Sequence, residues 1–199
     1  MSARVVLLAG PSGSGKSHLA GGSGLPVLRL DDFYKDGDDP SLPFSDELGI
    51  VDWDDVRAWH ADRAVESLAT LCRTGFAEVP TYDISTSRAT GSVEVRCHDA
   101  PAIVAEGVFA AEIVEACRQR GILADAVVIV RAPWKNFVRR LARDLREHRK
   151  PPVTLWRRGR ILMHEEEQVV ADAVARGCRR VSVHELARLL DDLARTTHA

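Results

Sequence analysis

Hydrophobic residues gather in short unbroken blocks along this chain, separated by polar and glycine-rich stretches. Val5-Val6-Leu7-Leu8-Ala9 is the first block, and Ala102-Ile103-Val104-Ala105 and Ala126-Val127-Val128-Ile129-Val130 repeat the pattern. Apolar runs without polar alternation predict strands covered on both faces, as in a parallel sheet between helix layers. Val27-Leu28-Arg29-Leu30 predicts a further strand, and Arg180-Val181-Ser182-Val183 a last one. Elsewhere the period lengthens. Val56, Trp59, Ala64, Leu68 and Leu71 recur at helical spacing within 54–72, with Asp54 or Asp55 as N-cap and Gly75 as terminator. A short helix follows Ser17 before Gly21-Gly22-Ser23-Gly24, another runs from Gly107 to about Arg120, and a last one spans His184 to Arg195.

The segment 134–148 is the clearest amphipathic helix. Trp134, Phe137, Val138, Leu141, Leu145 and His148 share one face, and Arg139, Arg143, Arg146 and Lys150 line the other, until Pro151-Pro152 stops it. A helical segment from about Thr154 to Arg176 is broken near Gly159. Residues 78–96 alternate and carry a turn signal at Thr90-Gly91-Ser92, which predicts a hairpin-like excursion. The Asp-, Pro- and Gly-rich stretch 35–50 predicts a surface loop, long enough to suggest a functional role. Strands alternating with helices predict an α/β fold: a doubly wound, mostly parallel sheet flanked by helices, in one domain spanning 1–199.

The first strand runs straight into Gly10-Pro11-Ser12-Gly13-Ser14-Gly15-Lys16-Ser17. This is G-x-x-x-x-G-K-S in its required context, after a buried strand and before a helix, and it predicts the P-loop NTPase fold. Gly10, Gly13 and Gly15 let backbone N–H groups turn inward around phosphate oxygens, with Ser12 and Ser14 between them. Lys16 adds a positive charge for the β- and γ-phosphates, and the Ser17 hydroxyl can ligate Mg²⁺. The expected ligands are a nucleoside triphosphate, ATP, and Mg²⁺.

Charge and cysteine content narrow the setting. A net charge of −2 argues against bulk affinity for nucleic acid or membrane, although Lys and Arg crowd 135–160 and acids crowd 31–66. The four cysteines, Cys72, Cys97, Cys117 and Cys178, have neither C-x-x-C nor zinc-ligand spacing and read as reduced core thiols. No segment approaches the ~18 apolar residues of a membrane span. With a strand beginning at the N-terminus in place of a signal peptide, the expected location is the cytoplasm.

In open parallel sheets ligands sit beyond the carboxyl ends of the strands. Asp31 and Asp32 end the second strand and Glu106 the third, so these carboxylates converge on the crevice that holds the phosphate loop. Phosphoryl transfer to a hydroxyl uses such a set: a metal to neutralise the phosphates and a carboxylate to orient or deprotonate the acceptor. Either aspartate can serve as the base. The arginines of the 134–150 helix suit phosphate contacts as well as a solvated face.

Gly10–Ser17, Asp31-Asp32-Phe33-Tyr34, Pro80-Thr81-Tyr82-Asp83, Val104-Ala105-Glu106-Gly107 and Arg139-Arg140-Leu141-Ala142-Arg143-Asp144 follow the order and approximate spacing of uridine–cytidine kinases. The chain resembles that family, one of the P-loop small-molecule kinases, from residue 4 to about 150. The resemblance implies ATP-dependent phosphorylation of a nucleoside 5′-hydroxyl, with uridine first among acceptors. It gives Asp31 the role of base, and Ser17 and Glu106 that of Mg²⁺ holders, directly or through water. It assigns Asp52, in Gly49-Ile50-Val51-Asp52-Trp53, to the ribose hydroxyls and Tyr82 to the base. Arg140 and Arg143 become arginines of a helical lid at about 134–160 that closes over substrate and phosphates. Where the family carries a base-reading His, this chain has Thr86 in a turn one residue shorter. Asp31-Asp32-Phe33 is also similar to nicotinamide riboside kinases. A GTPase-like switch lacks support, since no N-K-x-D motif is present, and a nucleic-acid ATPase lacks aromatics on the basic face.

Overall fold

A computed structural model describes residues 3–45, 49–97, 100–131, 134, 136 and 166–195. The first half contains β1 (Arg4–Ala9), α1 (Lys16–Gly21), β2 (Val27–Arg29), β3 (Phe44–Ser45), β4 (Ile50–Val51) and α2 (Ala61–Thr74). A hairpin follows, β5 (Phe76–Asp83) and β6 (Arg88–Arg96), then β7 (Ala102–Glu106), α3 (Val114–Gln119) and β8 (Leu123–Ile129). Helix α4 covers residues 166–175, and β9 (Arg179–Val181) leads into α5 (Val183–Arg195).

Five strands form one sheet in the order β2-β7-β1-β8-β9, and every neighbouring pair is parallel. Residues of the central strands alternate between its two faces. Val5, Leu7, Ile103, Ala105, Ala126 and Val128 join the core built with α2, α3 and α4. Leu8, Val104, Val127 and Ile129 join the second core, with Ala20 of α1 and Leu186 and Leu190 of α5. Burial on both sides is why these strands read as unbroken apolar runs. The connection leaving β1 passes over one face and that leaving β7 over the other, which opens a crevice between their carboxyl ends.

Several element boundaries differ from the sequence pattern. Strand β2 stops at Arg29, and Leu30–Phe33 tightens into a 3-10 turn that carries both aspartates. Asp55 caps a separate 3-10 turn, Val56–Ala58, whose Arg57 N–H it accepts; α2 begins only at Ala61. Trp59 lies between the two turns because its indole N–H donates to the Leu30 carbonyl at 2.7 Å. The hairpin turn falls at 84–87, whereas Gly91 lies within β6 opposite Thr81, beside a register shift. The 35–50 stretch is a loop apart from its two-residue strands β3 and β4. Trp134, expected on the apolar face, is 60% exposed, while the amide of Asn136 is buried and donates to Glu166 at 2.9 Å. The remaining arginine helix and its Arg140 and Arg143 lie outside the described residues.

All four cysteines are free and buried. Burial pushes the thiols of Cys72, Cys117 and Cys178 up to about 11. Helix α2 anchors the first core through Ala64, Val65, Leu68, Leu71 and Cys72 and ends at Gly75 in the left-handed conformation. Leu68 is fully buried. Its replacement by Ala should cost about 2–5 kcal/mol, the range for a buried leucine. Chemical denaturation should show a lowered midpoint for Leu68→Ala; an unchanged midpoint would mean that α2 does not anchor this core.

Candidate active site

The phosphate loop leaves β1 at Ala9 and closes at Lys16, the first residue of α1. Gly10, Gly13 and Gly15 all take positive φ, at 143°, 82° and 99°. At Gly10 a Cβ would also lie 2.6 Å from Ile129 Cγ2, so the loop turns directly over β8. Lys16 is buried, and its ammonium donates to the carbonyls of Gly10 at 2.7 Å and Pro11 at 3.2 Å. Ser14 is fully buried, and its hydroxyl has no hydrogen-bond partner among the described residues. A buried polar group of this kind is an exception that calls for a partner.

Strand parity explains the placement of Glu106. It shares the face of Val104, the face covered by α1, and so emerges beside the start of that helix. The residue is 4% exposed, and its carboxylate faces the Ser17 hydroxyl. Burial pushes its pKa above the usual carboxylate value, nearby Asp31 adds to the rise, and Lys16, Ser17 and Arg29 oppose it. Among the described residues no three His, Cys, Asp or Glu side chains gather into a metal cage. A hydroxyl beside a carboxylate is instead an all-oxygen donor pair suited to Mg²⁺, which keeps most of its shell for water and phosphate.

Asp31 and Asp32 face different tasks. Asp31 Oδ1 accepts the Val108 N–H at 3.1 Å, which ties it to the turn after Glu106. Gly107 permits this approach, since a Cβ there would sit 2.8 Å from Asp31 Oδ1. Asp32 is half-buried, meets Arg29 at 3.7 Å and feels the backbone N–H of Tyr82 in the hairpin. Its pKa is raised, chiefly by burial, with Asp31 contributing and Arg29 and the Tyr82 N–H opposing.

Beyond Asp31 stands a group of aromatic rings. Tyr34 is its hub, 5.8 Å from Trp53, 5.9 Å from Tyr82 and 5.7 Å from Phe109. Its hydroxyl donates to the Trp53 carbonyl at 3.3 Å. Asp52 is half-buried next to Trp53, and its Oδ1 accepts the Asp54 N–H at 3.1 Å. Thr86 is exposed at the hairpin turn with its hydroxyl on the Asp83 carbonyl at 3.4 Å.

The structure thus brings together Gly10, Ser12, Gly13, Ser14, Gly15, Lys16, Ser17, Glu106 and Asp31, with Tyr82 connected to the Asp31 turn through the ring of Tyr34. Arg29 belongs with them and carries no motif. It is the register partner of Glu106, so its guanidinium emerges on the same face. Only the parity of a three-residue strand could have signalled it.

These features define a P-loop fold with a phosphate cradle, a carboxylate at each of two neighbouring strand ends and an aromatic-lined side. Solved structures of two P-loop kinases share the fold. A candidate fructose transport system kinase of Silicibacter sp. TM1040 is 18% identical, with a TM-score of 0.56 over 90% of this chain and 87% of that one. Phosphoribulokinase of Rhodobacter spheroides is 12% identical, with a TM-score of 0.55 over 91% of this chain and 70% of its own. In sequence the chain is similar to uridine kinases: that of Staphylococcus aureus (strain JH9) is 29% identical over 152 residues, 72% of this chain and 69% of that protein. No family model matches the chain.

The raised pKa of Glu106 has a consequence for stability. A carboxyl whose folded-state pKa exceeds its unfolded value contributes stability below the unfolded value, near 4, and loses it as pH rises through the folded value. Glu106→Gln imitates the protonated form. Thermal melts without ligand should therefore show the variant at least as stable as the wild type at pH 7–8, with the gap closing toward pH 4. A variant much less stable at pH 8 would mean that the ionised carboxylate holds the fold together.

Proposed function

We propose that this protein is a kinase that transfers the γ-phosphoryl group of ATP to the 5′-hydroxyl of a ribonucleoside, with uridine the first acceptor to test. The observation that carries this reading is the Asp31 carboxylate, held by the Val108 N–H beside Glu106, Lys16 and the phosphate loop. Similarity to uridine kinases supports the acceptor class, and free buried cysteines support a reducing compartment such as the cytoplasm.

In the reaction Asp31 accepts the proton of the acceptor hydroxyl as that oxygen bonds to the γ-phosphorus and the bond to ADP breaks. The loop amides and Lys16 hold the β- and γ-oxygens where negative charge grows. Ser17 and Glu106 would hold Mg²⁺, which when bound neutralises phosphate charge. Asp52 and Tyr82 take the ribose and the base in this reading, with Thr86 at the rim. Arg140 and Arg143 close over the phosphates, as the resemblance implies.

The two aspartates separate in a kinetic test. Asp31→Asn keeps the hydrogen bond from Val108 and removes the base, so kcat should fall by roughly 10²–10⁴, the contribution of general acid–base catalysis. Asp32→Asn leaves Asp31 and its bond from Val108 in place and should affect kcat far less. A coupled ADP-release assay with uridine, cytidine and nicotinamide riboside reads both variants. The larger loss in Asp32→Asn would reverse the assignment, and ADP release indifferent to every acceptor would remove the nucleoside.

A further inference from the structure

Each residue from Lys35 to Asp38 makes one bond to the turn region of the hairpin, about fifty residues away in sequence. The Lys35 carbonyl accepts the Tyr82 hydroxyl at 2.9 Å. Asp36 Oδ1 accepts the Ala89 N–H at 2.7 Å. Gly37 N–H donates to the Ser87 carbonyl at 2.7 Å. Asp38 Oδ2 meets Arg88 Nη2 at 2.6 Å, an exposed ion pair and the weakest of the four links.

Two backbone details show that the fit is tight. Ser87, at φ 52°, is the one non-glycine residue with positive φ among the described residues. Such a conformation persists where its surroundings over-determine it. Gly37 lies so close that a Cβ there would stand 3.1 Å from Ser87 Cβ and 3.3 Å from its carbonyl oxygen.

Tyr82 is consequently held at its phenol end by this short segment, through the bond from its O–H to the Lys35 carbonyl. That segment begins at Asp31 and carries Tyr34, whose ring lies 5.9 Å from that of Tyr82. The turn, the acidic loop and the catalytic turn are joined into one closed circuit. Thr86, exposed at the tip, is outside it.

We infer that Lys35–Asp38 and the turn residues Ser87–Ala89 form a clasp that fixes Tyr82 over the acceptor side of the crevice, with Gly37 and Ser87 as positioning residues for acceptor binding. This rests on the kinase reading for its acceptor and on the hydrogen bonds alone for the clasp. Adding a methyl at Gly37 pushes Ser87 outward and carries Tyr82 with it. The phosphate loop is untouched.

The test uses the full chain with Gly37→Ala and with the double variant Gly37→Ala/Ser87→Gly, which removes the opposing Cβ. Hydrogen exchange without ligands, read at the amides of position 37 and of Ala89, should quicken in the single variant and return toward wild type in the double. In steady-state kinetics with ATP and uridine the single variant should raise the KM for uridine about tenfold, the scale of discrimination by a loosened contact. The KM for ATP and kcat should stay near wild type, and the double variant should recover the uridine KM. Unchanged exchange overturns the clasp. A KM for ATP that rises as much as that for uridine, or a double variant that recovers nothing, overturns the positioning role. If the wild type phosphorylates no ribonucleoside, the kinase reading fails, and the exchange data alone decide whether the clasp exists.

Discussion

The site depends on a buried carboxylate set beside a buried ammonium at the open ends of two neighbouring parallel strands. Glu106 and Lys16 are 4% and 6% exposed. Burying charge is expensive unless it is paired and hydrogen-bonded. Here the carboxylate has Ser17, Lys16 and Arg29 around it, and the ammonium has two loop carbonyls. Burial outweighs these partners and leaves the pKa of Glu106 raised.

That arrangement follows from strand alternation. With Val104 packed under α1, Glu106 can emerge only on the same face, where α1 begins with the lysine and serine of the phosphate loop. The next residues, Gly107 and Val108, turn across β2 and fasten Asp31. Three strand ends are thereby locked into one geometry by a turn of three residues. The aromatic side is then built from the continuation of the Asp31 turn, through Tyr34, and from the hairpin through Tyr82.

The buried strands were legible because both of their faces meet helices, leaving no alternation to confuse with a helix. The phosphate loop was legible because its glycines serve local backbone geometry, which sequence encodes directly. What escaped prediction was tertiary. Thr90-Gly91-Ser92 reads as a turn, but cross-strand pairing draws Gly91 into β6, and Asp83 makes the real turn by accepting the N–H and hydroxyl of Ser85. Asp55 has the chemistry of an N-cap and caps a 3-10 turn, because Trp59 must swing inward to the Leu30 carbonyl before α2 can start. Arg29 gave no signal, since an arginine at the end of a short strand looks like any solvated residue. Tyr34 stood inside a motif, yet its place among three rings is fixed by segments distant in sequence.

Product analysis of one reaction tests the central claim most directly. The wild-type protein is incubated with ATP, Mg²⁺ and uridine, and phosphorylated species are followed by phosphorus NMR and mass spectrometry, beside Lys16→Ala as control. The account predicts ADP and uridine 5′-monophosphate in equal amounts, with both nearly abolished when Lys16 is lost from the phosphate cradle. ADP formed at the same rate without uridine, or uridine phosphorylated equally well by Lys16→Ala, would contradict it.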